Sequence, residues 1–244
     1  MEYIITMKRV LVLSLTLSWL LYCEASPEAI SENDVYGYTL EGGTVAGKYL
    51  YWSNRPIRVA LNDCGGLDGC TAQHMQSLRD GLDLWRANAS FFGEISIEET
   101  TSNPDVVFSW RQSFGSSVIG QCQFCIGVSS LGQLAAGRPW TVSMALDVVI
   151  DSETRKISQT GIKLVSAHEM GHCLGLFQHS PRQNDLMHAF LSSATDFTYR
   201  DVNTVRKLYS EPSDFASPAN CSSFGSSGLQ MTSPHVTYDP GFIE

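Results

Sequence analysis

An α+β domain is what this sequence predicts, and three observations carry the prediction. Short stretches with period-two alternation, the signature of half-buried strands, stand beside stretches with the three-to-four spacing of amphipathic helices. The 244 residues leave room for one domain of ordinary enzyme size with a real core. No internal repeat and no second folded unit interrupts the pattern, which divides the chain at 1–25, 26–49, 50–210 and 211–244.

Met7-Lys8-Arg9, the apolar run Val10 to Leu21, and Cys23-Glu24-Ala25 before Ser26 read as a signal peptide cleaved after Ala25. The apolar run is too short for a membrane span, so no stable membrane insertion is expected. Initiation at Met7 is an alternative start. Tyr22 before Cys23 argues against lipidation, because a small residue belongs there. The expected location is secreted or periplasmic. Residues 26–49 are polar and glycine-containing, and are expected to be an N-terminal extension, either extended or poorly ordered.

The folded pattern starts near Trp52. Pro56-Ile57-Arg58-Val59-Ala60-Leu61 alternates as a strand does. Thr71 can cap a helix running to about Ala89, with Met75, Leu78, Leu82, Trp85 and Ala89 on one core-facing stripe. Ile95 and Ile97 alternate within 94–98, and 105–110 suits a buried strand. Residues 111–140 read as a Gly- and Ser-rich excursion, and 141–150 as one strand. Thr198-x-x-Asp201 opens a further helix, with Val202, Val205 and Leu208 or Tyr209 on its apolar face. Residues 211–244 are rich in Ser, Pro and Gly and read as an irregular tail.

Between these lies the densest signal, a helix over about 161–174 that carries His168-Glu169-Met170-Gly171-His172. Residues four apart on a helix differ in direction by about 40°, so two neutral imidazoles stack one turn apart and can share one Zn²⁺. Glu169, one step round, reaches a water at the metal's open position better than the metal itself. Gly175 can take a positive φ, end the helix and let the chain return a third ligand. His179 and Gln178 are the two candidates: an imidazole is the stronger neutral donor, an amide oxygen the weaker.

His168-Glu169-x-x-His172-x-x-Gly175, followed by His179 and Met187, resembles the motif of the metzincin zinc metallopeptidases. The family places its third histidine three residues after the glycine, where this chain has Gln178. The segment His179-Ser180-Pro181-Arg182-Gln183-Asn184-Asp185-Leu186-Met187 is similar to matrixin-type members when His179 sets the register, which favours His179 as the ligand.

The resemblance implies a zincin-like catalytic domain over 50–210: a twisted mixed β-sheet, an active-site helix, a Met-turn at Met187 and a C-terminal helix. It implies one catalytic Zn²⁺ held by His168, His172 and His179, with Glu169 as general base, Met187 as an apolar floor beneath the ligands, and a protein or peptide as substrate. It also implies an edge strand that pairs with substrate, expected within 125–150, and a specificity pocket formed by 188–193. Ala189 stands where some metzincins carry a tyrosine, so no residue is nominated for that role. His188 could line the cleft or be an ordinary surface residue. The segment before residue 50 lacks the Pro-Arg-Cys-Gly type of cysteine switch that keeps many matrixins latent. No second, structural zinc is expected.

Asp147 and Asp151 near a strand end are of the ligand type for Ca²⁺, but their spacing is not that of an EF-hand loop, and a solvated strand end is the plainer reading. The net charge of −9, with no basic cluster, argues against a nucleic-acid partner. A monomer is expected. Seven cysteines less Cys23 leave six, an even number that suggests disulfides in an exported chain. Cys64 and Cys70 flank a Gly-rich loop and pair; Cys122-x-x-Cys125 reads as a small disulfide loop; Cys173 and Cys221 pair by elimination. The alternative function is a non-catalytic secreted binding module that keeps the fold.

Overall fold

A computed structural model describes residues 35, 51–52, 56–88, 96–128, 134–190, 197–210, 215–220, 229–232 and 236–237. The segment 1–25 expected to be a signal peptide, the expected extension 26–49 apart from residue 35, and Cys221 lie outside them. No helix among the described residues is long and apolar enough to cross a membrane.

The architecture is α+β, as the alternating and helical stretches predict. The elements in chain order are β1 (Ile57–Leu61), α1 (Ala72–Ala87), β2 (Ile97–Glu99), β3 (Val106–Arg111), β4 (Val118–Val128), β5 (Leu134–Arg138), β6 (Trp140–Ala145), β7 (Asp147–Ile150), β8 (Glu153–Lys156), α2 (Gln159–Cys173), α3 (Tyr199–Ser210), β9 (Phe215–Asn220), β10 (Leu229–Thr232) and β11 (Val236–Thr237). β2, β1, β3 and β6 run parallel in that order, and β4 lies antiparallel beside β6. Parallel strands are covered on both faces. Here Val106, Phe108, Trp140, Val142 and Met144 share one face of the sheet and are wholly buried, while Val107 and Ser109 on the other face are half-buried.

α2 packs against β4, β6 and α1. The helices meet where α1 has Gly81: a Cβ there would collide with the Ser166 hydroxyl and the Lys163 carbonyl, so only glycine permits this approach. The core aromatics Trp52, Phe124, Trp140 and Phe177 contact one another, with Phe124 and Phe177 centroids 4.8 Å apart and Trp52 and Trp140 4.7 Å apart.

Four sequence expectations are corrected. Residues 111–140 are not an excursion, for they hold β4 and β5. β4 does alternate, with Cys122, Phe124, Ile126 and Val128 against Gln121 and Gln123, but the Gly and Ser residues around it mask the run. The strand expected over 141–150 is two strands. After Ala145 the chain turns, with Leu146 N–H on Arg111 O at 3.1 Å and Asp147 N–H on Gln112 O at 2.8 Å, and β7 joins β8 in a separate hairpin.

Residues 211–244, expected to be irregular, contribute β9, β10 and β11. These lack a pattern of their own, because β9 takes the free edge of β5 and the others an edge of β4. Finally, Cys64–Cys70 is present as expected, but Cys122 is bonded to Cys173, and Cys125 is a buried free thiol. Residues three apart on a strand point to opposite faces, so Cys122 and Cys125 on β4 cannot meet.

Candidate metal centre and active site

Ser158 caps α2, its Oγ accepting the Gly161 N–H at 3.1 Å, and the helix begins at Gln159, two residues earlier than the sequence suggests. Its C-terminal end leaves no carbonyl of the last turn idle. Gly175, at φ 109°, donates its N–H to His172 O at 3.0 Å, and Leu176 N–H bonds Gly171 O at 3.1 Å, the two bonds of a Schellman cap. Trp52 Nε1 donates to Cys173 O at 2.7 Å and Tyr209 Oη to Leu174 O at 2.9 Å. Together with the Cys122–Cys173 bridge, these contacts fix the helix turn that bears His172 and Cys173.

His168, Glu169 and His172 are fully buried in this helix. His168 Nε2 lies 3.1 Å from His172 Nε2 and 3.2 Å from His179 Nε2, so the turn after Gly175 brings His179 back onto the helical pair. Two further contacts orient the rings. His168 Nδ1 donates to Leu186 O at 2.8 Å and His172 Nδ1 to Leu176 O at 2.5 Å, which leaves the Nε2 lone pairs directed at one another.

Three lone pairs that face each other repel unless a cation or a proton lies between them. Burial, first, and then the neighbouring His172 and His179 hold His168 well below its ordinary pKa. Burial and His179 hold His172 at about 3. At neutral pH His168 and His172 are therefore unprotonated and have lone pairs to donate, as a metal site requires. Nitrogens bound tetrahedrally to zinc at about 2.0–2.1 Å stand about 3.3 Å apart, close to the separations here. Among the described residues the other cluster of ligand type is Asp63 with Cys64 and Cys70, whose sulfurs are consumed in a disulfide.

Glu169 lies against β4. A Cβ on Gly120 would come within 2.6 Å of Glu169 Oε1 and 2.7 Å of Val165 Cγ1. Met187 lies on the other side of the helix, its sulfur packed so closely on Gly171 that a Cβ there would overlap it. Ser180 N–H bonds Met187 O at 2.8 Å, which closes the loop between His179 and Met187.

A buried polar network holds that loop in place. Asp201, on α3, accepts Leu186 N–H at 2.9 Å and Met187 N–H at 3.3 Å, and Asp185 accepts Thr198 Oγ1 at 2.8 Å and Arg200 Nε at 2.9 Å. The Ser180 hydroxyl also donates to Asp185. Asp185 and Arg200 are almost wholly buried and answer each other's charge. Sequence reasoning assigned neither of them, nor Gly120, a role in the site; the trace of the network was the capping pattern Thr198-x-x-Asp201.

A model of the matrixin family matches residues 73–210, more than half of the chain. The chain belongs to the matrixin family. This matrixin is 33% identical over 95 residues to stromelysin-1 of Rattus norvegicus, a match covering 35% of the chain and 20% of that relative. Stromelysin-1 of Mus musculus is 39% identical over 70 residues, which cover 27% of the chain and 14% of the relative. The matches thus span a fifth or less of the curated relatives' length.

The remaining candidates fall away from the centre of this matrixin's site. His188 Nδ1 accepts Phe190 N–H at 3.2 Å and stands outside the histidine cluster, while Leu191–Ser193 of the expected specificity loop lie outside the described residues. Asp147 is not a solvated strand end. It is buried, with Lys156 Nζ at 3.0 Å and Gln112 Nε2 at 2.6 Å, so a lysine already answers its charge. Asp151 is exposed in the β7–β8 turn. The strand beside Glu169 is β4, Val118–Val128, whose last residues fall within the 125–150 window expected for the cleft edge.

Proposed function

We propose that this matrixin is a zinc-dependent endopeptidase in which His168, His172 and His179 hold one Zn²⁺ and Glu169 is the general base. The observation that carries the reading is the convergence of three Nε2 atoms, each helical imidazole tied through Nδ1 to a carbonyl, beside a buried glutamate. When bound, zinc supplies Lewis acidity towards a peptide carbonyl and lowers the pKa of a water towards about 7. Glu169 takes a proton from the attacking water and passes it to the departing amine. Gly120 gives its carboxylate room to do so.

The substrate is a protein or peptide bound in extended form, its backbone paired antiparallel with the outer edge of β4 so that the scissile bond passes Glu169. Met187 forms the apolar floor under the helical histidines, and residues 50–210 form the catalytic unit. The signal-like segment 1–25 and the two disulfides support export, since such bridges persist in oxidising compartments. The test is zinc content measured alongside casein and peptide-library cleavage, with and without chelator. Cleavage lost on chelation and restored by zinc supports the reading. One zinc per chain with no turnover of any peptide would favour a binding module instead.

A further inference from the structure

β4 has two long edges. On one it pairs antiparallel with β6, from Gly120↔Met144 to Gln123↔Thr141, and further along with β5 at Ile126↔Ala136. On the other it pairs antiparallel with the C-terminal tail: Leu229↔Ile126 to Thr232↔Gln123, then Val236↔Gly120 and Thr237↔Val118. Gly120, Gln123 and Ile126 each have partners on both sides, so the tail occupies the edge away from β6. Gly120 is the residue pressed against Glu169, and β11 also lies against α2. The tail backbone therefore passes beside the proposed general base.

An edge with free N–H and C=O groups is a template for an extended chain, whichever chain it comes from. We infer that the C-terminal tail is an internal occupant of the peptide-binding edge: residues 229–232 and 236–237 take the place that a peptide substrate must enter, and substrate competes with them. The inference rests on the peptidase reading above. Strands of four and two residues pair only marginally by themselves. Tethering raises their local concentration to the millimolar range, enough to hold a weak strand in place but not to make it irreversible. Such a tail favours substrates long enough to pair along β4, because these repay its displacement.

Three zinc-loaded proteins test this: the full chain, a chain ending at Gly228, and the full chain with Gln230→Pro and Met231→Pro. Consecutive strand residues direct their N–H groups to opposite sides, so one of the two prolines removes a bond to β4 whichever way the tail is turned. The double variant also covers the outcome that the shortened chain fails to fold. Hydrogen exchange over residues 118–128 and KM for an extended fluorogenic peptide are the readouts.

Exchange should rise in both variants. The apparent KM should fall by about tenfold, which is the change expected if the tail is docked nine-tenths of the time. A synthetic peptide of residues 229–238 should inhibit the shortened chain competitively. Unchanged β4 exchange, or an unchanged KM in both variants, overturns the inference. If none of the proteins cleaves any peptide, the peptidase reading fails separately. Anisotropy of the labelled 229–238 peptide on the shortened chain then decides: binding supports tail docking and no binding overturns it.

Discussion

Gly120 on β4 lies so close to Glu169 that a single methyl group on its Cα would come within 2.6 Å of the glutamate's Oε1. Gly120→Ala must therefore push the carboxylate aside or push β4 away from α2. The three histidines are untouched by this change, so zinc binding should persist. A displacement of about 1 Å at a reacting group can cost on the order of 10²-fold in rate. The expected result is a zinc-replete protein whose kcat falls by roughly that factor; steady-state kinetics with metal analysis checks it.

Asp201 holds the Met-turn through the backbone of Leu186 and Met187, and Leu186 O in turn receives His168 Nδ1. Asp201→Ala leaves buried N–H groups without their acceptor, at a cost of about 1–3 kcal/mol each. Tm should drop by several degrees, and zinc should dissociate more readily because His168 loses its anchor. Thermal unfolding and zinc titration of the variant test both effects.

The metal-free chain should be acid-sensitive. His168 and His172 are buried neutral, with folded pKa values depressed below 6.5, that of His172 to about 3. The unfolded chain takes up protons that the folded chain cannot, so stability is complete above pH 6.5 and is lost as pH falls from 6.5 towards 3. Urea midpoints of chelator-treated protein should decline across this window. A midpoint that stays level from pH 7.5 to 5 would contradict the burial of neutral imidazoles.

Cys122–Cys173 closes a loop with a sequence separation of 51. Loop-closure entropy assigns such a bridge about 4 kcal/mol. Replacing both cysteines by alanine should lower the unfolding free energy by up to that amount and loosen β4 from α2. Peptide mapping of the unreduced protein should recover Cys64 linked to Cys70 and Cys122 linked to Cys173.

What was legible in the sequence was what local spacing encodes. Four-residue spacing puts His168 and His172 on one helix face, and Gly175 announces the left-handed cap that the helix end adopts. The amphipathic stripe Leu78, Leu82 and Trp85 is buried as expected. What escaped depends on partners distant in the chain. β4 alternates over Cys122, Phe124 and Ile126, with Gln121 and Gln123 between, but its Gly- and Ser-rich flanks hide the run, and its pairing on both edges is set by strands distant in the chain. The C-x-x-C pattern pointed to a local loop; only the extended backbone shows Cys122 facing α2 and Cys173. Asp185 and Arg200 are fifteen residues apart, and neither declares its partner until α3 packs beneath the Met-turn.

In the proposed zinc site His179, one residue later than the family pattern, is the third ligand. Equilibrium dialysis of His179→Ala and Gln178→Ala against limiting zinc, with metal counted per chain, tests it most directly. His179→Ala is expected to lose its zinc and Gln178→Ala to retain it. A zinc-replete His179→Ala protein beside a zinc-poor Gln178→Ala protein would contradict this assignment.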